Sequence, residues 1–369
     1  MTLRIGIDAR LTYHRTGGIS TYTRALLSEF SRDTDREVEI IALQSRKQNE
    51  AIVPRLRHVK LWTPSHHRLE KWALSAELAR LRLDVLHSPD FIPPLRGARK
   101  HVITVHDLAF LLYPDILTAE SRRYYTDQIR WAVKRADHIF AVSEATQRDL
   151  IALLDVPPAK ITVQLEAAEQ RFQPLPPERI APVMAKFNLV SGYLLCVGTI
   201  EPRKNIPMLL EAYTELRRKI TDAPPLVLVG RVGWLVNETL ALIHGTPGVI
   251  HIQNAADEDL PALYNGAAAL LAPSLYEGFG LSPLEAMACG TLPIVSDRAS
   301  LPEVVGEVGL QINPYERDEW VEAMRTTISA DNSAWLTRQR AAALERAATF
   351  TWARTAQIAR EVYRQVAQS

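Results

Sequence analysis

The sequence holds only two cysteines, Cys196 in an apolar strand-like run and Cys289 in a helical one. They supply neither a disulfide framework nor a metal cluster, and a reducing cytoplasm is the compartment such usage fits. Long apolar runs are lacking too: none approaches the roughly 18–20 residues that span a bilayer. The opening Leu3-Arg-Ile-Gly-Ile7 is too short for the apolar core of a signal peptide, so no leader is expected. Excess charge of either sign is absent, with 43 Lys plus Arg against 42 Asp plus Glu. That balance provides no global field to draw nucleic acid, and no nucleic-acid partner is expected. Groups of His, Cys, Asp and Glu at metal-ligand spacing are missing as well. Asp33-Thr34-Asp35 has the form of a metal-binding Asp-x-Asp pair. In a polar stretch between a helix and a strand it reads as a turn.

What remains is a soluble α/β pattern in a chain long enough for two domains of about 150–200 residues. Short apolar runs at Leu3–Ile7, Val38–Leu43, Val59–Trp62, Asp84–His87, His101–Val105, His138–Val142 and Ile161–Leu165 read as strands. Helical spacing covers Thr21–Phe30 and Leu69–Leu83. Such alternation predicts a parallel sheet covered on both faces. Residues at the carboxyl ends of its strands line the ligand crevice, which makes Asp8, His87, His106 and Ser143 rim candidates. Pro174, Pro176 and Pro177 punctuate a polar stretch, and 173–190 reads as a linker. A second alternation follows: strands Tyr193–Val197, Leu226–Val229, Val249–Gln253, Ala269–Ala272 and Leu292–Ser296, with helices Pro207–Lys219, Asn237–Ile243 and Leu260–Ala267. Thr351–Val366 reads as a last helix. The expected architecture is two doubly wound, Rossmann-like domains, 1–172 and 191–350, facing each other across a cleft.

The richest stretch is 272–290. An apolar run ends at Pro273, a glycine turn Gly278-Phe279-Gly280-Leu281 follows, and a helix is expected to begin near Ser282. Backbone N–H groups in that turn and at the helix start lack intrahelical partners and suit an anion. Glu277 and Glu285 flank them, so phosphate and hydroxyl groups can be held side by side, as in a sugar nucleotide. Ser282-Pro283-Leu284-Glu285 also fits a capping box, with Ser282 as N-cap, which would occupy Glu285 otherwise.

Three further features have both a functional and a plainer reading. Gly17-Gly18, between the first strand and helix, suits a phosphate or serves as a flexible turn. Arg203-Lys204, after the strand ending at Val197-Gly198, suits a diphosphate or is a solvated basic turn. His106 is a catalytic candidate at a strand end or a satisfied structural histidine. Between residues 46 and 100, twelve Lys and Arg stand against five acids. This basic face suits an anionic membrane or a pyrophosphate-bearing acceptor, or is simply solvated.

In order along the chain, Gly17-Gly18, Val105-His-Asp-Leu108, Val142-Ser143, Glu201-Pro-Arg-Lys-Asn205 and Glu277-Gly-Phe-Gly-Leu-Ser-Pro-Leu-Glu285 resemble the family-4 retaining glycosyltransferases of GT-B fold. The last of these resembles the family's Glu-x7-Glu motif. Gly-Ile-Asp-Ala-Arg10 with Glu-Pro-Arg-Lys-Asn looks most like bacterial polysaccharide mannosyltransferases. The resemblance implies that Lys204, helped by Arg203, stabilises the nucleotide diphosphate. It implies that Gly17, Gly18 and Phe279–Leu281 touch phosphates and donor sugar, that Glu277 binds sugar hydroxyls, and that Glu285 binds the ribose. His106 would contact the sugar near the reacting centre, and Gln253–Asn254 would lie near the base. The final helix, 351–369, would return to the first domain. Many relatives carry Arg where this chain has Thr199, and Arg203 is the residue that could compensate.

The implied reaction moves a hexose, mannose from GDP-mannose being the favoured donor and a UDP-sugar the rival, to a glycan or lipid-linked acceptor. It needs neither metal nor cofactor. The protein would be cytoplasmic, with peripheral contact on the inner face of the plasma membrane. A nucleotide-sugar epimerase of the same fold and a non-catalytic sugar-nucleotide binding module remain alternatives.

Overall fold

A computed structural model describes residues 2–13, 17–32, 35, 37–67, 69–116 and 119–369. Thr16, Asp33, Thr34 and Arg68 lie outside the described residues, and with them most of the Asp-x-Asp triplet. The chain forms two compact units, one of Met1–Leu112, Ala119–Glu166 and Thr351–Ser369, the other of Tyr113–Thr118 and Ala167–Phe350. Both are Rossmann-like.

In the first unit the strands are β1 (Leu3–Asp8), β2 (Val38–Ser45), β3 (Arg57–Leu61), β4 (Leu83–Ser88), β5 (Ala98–Val105), β6 (His138–Ala141) and β7 (Ile161–Val163). They form one sheet in the order β3-β2-β1-β4-β5-β6-β7, every pairing parallel. Central strands read as apolar runs because helices cover both faces and bury both sets of side chains. The strand order reverses between β1 and β4. The crevice outside such a reversal is where open α/β sheets bind ligands, and Asp8 and Ser88 close the two strands that frame it.

The helix Trp352–Gln368 belongs to this unit. The Thr351 hydroxyl caps its start by accepting the Arg354 amide at 3.2 Å. Its buried stripe of Ala356, Ala359, Val362 and Tyr363 follows helical spacing. Tyr363 hydroxyl and His87 Nδ1 lie 2.6 Å apart, and His87 Nε2 lies 2.7 Å from the Thr104 hydroxyl.

That pairing corrects the rim assignment of His87. It is fully buried, and burial, with the nearby His106, pushes its pKa down to about 3. A neutral imidazole between two hydroxyls is a structural link. Ser143 is corrected likewise: its hydroxyl accepts the Thr146 amide at 3.0 Å and caps the helix Glu144–Leu154. The helix expected over Leu69–Leu83 spans Glu70–Leu78. It tightens at Ala79–Leu81 and stops where Arg82 turns left-handed.

The second unit carries β8 (Tyr193–Val197), β9 (Leu226–Val229), β10 (Val249–Ile252), β11 (Ala267–Ala272), β12 (Leu292–Ser296) and β13 (Leu310–Ile312). Their order is β10-β9-β8-β11-β12-β13, again all parallel. Here the reversal lies between β8 and β11. The expected linker 173–190 contains the helix Pro177–Phe187, whose Met184 packs with Tyr193 and Tyr264 in this unit's core. Proline is tolerated at a first helical position because its missing N–H would be unbonded there anyway, so Pro176-Pro177 starts a helix. Among the described residues no helix is long and apolar enough to cross a membrane.

Candidate active site

The second unit's reversal gathers two loops. From β8 the chain turns through Gly198, whose φ of 145° is glycine territory. A Cβ there would come within 2.9 Å of Lys204 Cε, so the bare glycine makes room for the lysine stem. Pro202–Lys204 form a single tight turn, and Asn205 closes it left-handed. Asn205 Nδ2 donates to the Pro314 carbonyl at 2.8 Å and to Pro273 at 3.3 Å, tying the basic turn to the end of β11.

From β11 the chain runs through Pro273–Gly280 into the helix Leu281–Ala288. Gly280 caps this helix in a left-handed conformation, φ 112°, and no side chain caps it. The capping box is therefore not formed. The helix starts at Leu281, one residue before the expected Ser282, because glycine reaches the cap conformation that a serine would adopt only with strain. The loop is pinned from below: Ser296 Oγ donates to the Ser274 carbonyl at 2.6 Å, and Ser300 Oγ lies 2.6 Å from the Phe279 carbonyl and 2.8 Å from that of Glu277. Phe279 is buried edge-to-face against Phe350.

These loops bring Arg203, Lys204 and Glu277 together. Lys204 Nζ donates to Glu277 Oε1 at 2.7 Å, where the Ser274 hydroxyl also donates at 2.7 Å. Arg203 forks between Glu277 Oε2, Glu201 Oε1 at 2.6 Å and the Tyr276 carbonyl at 2.8 Å. Burial alone would raise the Glu277 pKa. The charges of Arg203 and Lys204, with hydrogen bonds from Lys204 and Ser274, outweigh it and hold the group at about 2. Glu277 is thus a fixed carboxylate. The guanidinium is shared between two acids, which leaves Lys204 the less encumbered cation.

Glu285 stands apart from that cluster. Tyr264 hydroxyl donates to its Oε2 at 2.8 Å. Burial raises its pKa to about 7, against the opposing Tyr264 hydrogen bond and Arg171 charge. Two acids eight residues apart therefore titrate at opposite ends of the range, one paired with cations and the other with a phenol. Gln253 and Asn254 follow the edge strand β10 and are exposed.

His106, Gly17 and Gly18 belong to the first unit. Gly17 caps the helix Gly18–Ser31, and nothing lies within 4 Å of where its Cβ would be. His106 follows β5, with Nδ1 3.0 Å from Glu166 Oε1 and Nε2 3.0 Å from the Pro89 carbonyl. Burial works to lower its pKa, but the hydrogen bond and charge of Glu166, with Asp90 and Asp107, win and raise it. Both ring nitrogens face acceptors, the arrangement of an imidazolium. Tyr22 packs edge-on at 5.1 Å between ring centres. Glu166 and Tyr22 were not singled out in the sequence. The signal available for Glu166 was its place just past the run Ile161–Leu165, at the carboxyl end of a strand.

The basic face of the first unit is partly neutralised. Arg57 pairs with Glu39 at 2.7 Å and Arg99 with Asp84 at 3.3 Å. Arg46 lies 3.9 Å over the ring of Trp62, which is 69 % exposed. Glu77 accepts the Trp62 amide at 2.6 Å, and its helix also carries Trp72, 70 % exposed.

Comparison with known proteins adds the following. The family described as "Glycosyl transferases group 1" matches residues 185–345, and that described as "Glycosyltransferase Family 4" matches residues 16–164. The chain is 34 % identical over 293 residues to the O-antigen chain mannosyltransferase B of Escherichia coli, covering 78 % of this chain and 74 % of that one. It is 32 % identical over 279 residues to a serotype-specific mannosyltransferase WbdA of Escherichia coli, covering 73 % of this chain but only 34 % of the relative. Among solved structures, Anabaena HepE in complex with UDP-glucose superposes with a TM-score of 0.76 at 16 % identity, covering 98 % of this chain and 100 % of that one.

Proposed function

The chain belongs to the group 1 and family 4 glycosyltransferases, and on that premise we propose that it moves a mannosyl group from GDP-mannose to a glycan or lipid-linked acceptor. The transfer retains anomeric configuration and uses no metal ion. The observation that carries this reading is the Arg203–Lys204–Glu277 cluster at the reversal of the second sheet. Its ion pairs hold the two cations and the acid in register before any donor arrives. An incoming diphosphate takes Lys204 Nζ from Glu277, and the freed Glu277 oxygen accepts hydroxyls of the sugar. Breaking a buried pair with nothing in return costs about 3–5 kcal/mol. The exchange therefore favours a ligand that carries a phosphate and a sugar together.

As the bond from the anomeric carbon to the phosphate oxygen breaks, negative charge builds on the leaving diphosphate. Lys204, supported by Arg203, and the N–H groups of Phe279–Leu281 stabilise it in this reading. The acceptor hydroxyl forms its new bond on the face the diphosphate leaves, and its proton passes to the departing phosphate oxygen. His106 as an imidazolium contributes charge near the sugar and cannot accept that proton. Glu285, when ionised, accepts hydrogen bonds from the ribose diol.

Mannose is favoured by the names of the two Escherichia coli relatives, and a UDP-sugar is the rival donor, as in the HepE complex. Exposed Trp62 beside Arg46, with exposed Trp72 on the helix Glu70–Leu78, supports peripheral contact with an anionic membrane from the cytoplasmic side. A screen of GDP-, UDP- and ADP-hexoses in EDTA tests the proposal. Release of GDP from GDP-mannose is expected. Interconversion of sugars without release, or a strict need for a divalent ion, overturns it.

A further inference from the structure

Glu285 has a neighbour that does more than pack against it. Tyr264, on the helix Leu260–Gly266, is fully buried, its ring edge-on to Phe172 at 5.7 Å between centres. Its carbonyl accepts the Thr291 hydroxyl at 2.7 Å, and Thr291 stands just beyond the helix that carries Glu285. Backbone and ring are thereby held, and the phenol is aimed at one atom, Glu285 Oε2, 2.8 Å away. Glu285 Oε1 has no hydrogen-bond partner among the described residues, and the side chain it ends is only part-buried. One oxygen is fixed and the other is open.

A phenol has a single proton to give. Burial, with the negative charge of Glu285, pushes the Tyr264 pKa well above its ordinary 10, so that proton stays on the phenol and is committed to Oε2. In a protonated carboxyl the carbonyl oxygen is the stronger acceptor, so Tyr264 keeps Oε2 in that role and directs the acid's own proton to Oε1. The open oxygen is therefore a donor when Glu285 is neutral and a full acceptor when it is ionised. Nearby charges come from two other segments. Arg171 favours the ionised form but is paired with Glu169 at 2.7 Å, while Glu169 and Asp257 oppose it. The thiols of Cys196 and Cys289 are pushed up to about 12, mainly by burial, and stay neutral.

We propose that Tyr264 is a positioning residue for the donor's ribose: by fixing Oε2 it presents Glu285 Oε1 as the acceptor for a cis-diol. The site then selects ribonucleotides, with an affinity that rises with pH as the open oxygen loses its proton. A 2′,3′-dideoxyribose brings no O–H group to that oxygen and gains nothing from it. The inference rests on the reading above in which Glu285 meets the ribose, and it names the residue that prepares it.

The test is calorimetry on the full chain from about pH 5.5 to about pH 8.5, with GDP against 2′,3′-dideoxy-GDP and with the matching UDP pair. Members of a pair share the same diphosphate, so its own titration cancels in their affinity ratio. For the base that binds, the diol-to-dideoxy ratio should rise about tenfold across that range in wild type. Tyr264→Phe removes the hydrogen bond that favours ionised Glu285, so the rise should move to higher pH and the ratio at neutral pH should fall about tenfold. Glu285→Gln should make the ratio independent of pH. A loss in Tyr264→Phe shared equally by both nucleotides marks a tyrosine that only packs, and overturns the inference. A wild-type ratio that does not change with pH also overturns it, and needs no variant to fold. Failure of both diol nucleotides to bind does the same. Failure of the transferase reading shows separately, as no nucleoside diphosphate release from any hexose donor.

Discussion

Lys204 Nζ lies 2.7 Å from Glu277 Oε1, so the cation assigned to the phosphate and the acid assigned to the sugar neutralise each other in the free protein. Both side chains are largely buried. Lys204→Ala should therefore do two things at once. It removes one of the two cations that hold Glu277, lowering stability by about 1.5–3 kcal/mol while Arg203 and Ser274 stay bonded to the carboxylate, and it lowers turnover at least ~100-fold. Glu277→Gln in the Lys204→Ala background should recover much of the stability and none of the turnover, as thermal melts and initial rates would reveal.

Gly198→Ala probes the same lysine from its other side. The new Cβ would meet the end of a flexible side chain, so the fold survives at a cost of about 1–3 kcal/mol for the glycine-only φ. Displaced Lys204 should then weaken GDP binding measured by calorimetry. Unchanged GDP affinity would disconnect Lys204 from the diphosphate.

The two acids of the motif make opposite contributions to pH dependence. Glu277 sits at about 2 against an ordinary 4.5. Its stabilisation is present above the ordinary value and is lost as pH falls towards 2. Glu285 sits at about 7 against the same 4.5. Its contribution is full below 4.5 and is lost as pH rises through 7, by on the order of 3 kcal/mol. Glu285→Gln should flatten the stability loss between pH 4.5 and about 7 in thermal melts, while wild type keeps it.

His106 is held protonated mainly by Glu166 against its burial. Glu166→Gln should lower the His106 pKa, read by NMR titration of the ring, and reduce turnover. With its folded pKa raised, His106 contributes stability at low pH that disappears as pH rises through that pKa. The variant should lose this dependence. An unmoved titration would remove Glu166 from the account.

Much of the frame was legible because buried parallel strands are uninterrupted apolar runs between turns: Tyr193–Val197, Leu226–Val229 and Leu292–Ser296 have the bounds read from sequence. The helices Arg317–Ile328 and Ser333–Ala348 and the three-residue β13 went unread, the first two for their high charge and the last for its length. Sequence placed Lys204, Arg203 and Glu277 at strand ends, but their mutual pairing spans more than seventy residues. The pairing of Glu166 with His106 is likewise a product of strand order. His87 misled because a strand-end position says nothing about which helix covers it, and Tyr363 arrives from 276 residues away.

The central claim is a retaining, metal-free transfer from a nucleotide sugar. Proton NMR of a reaction holding GDP-α-mannose, a mannoside acceptor and EDTA addresses it most directly. The account predicts release of GDP together with the anomeric signal of an α-linked product from the first turnovers. A β-linked product, or no GDP release from any hexose donor, contradicts it.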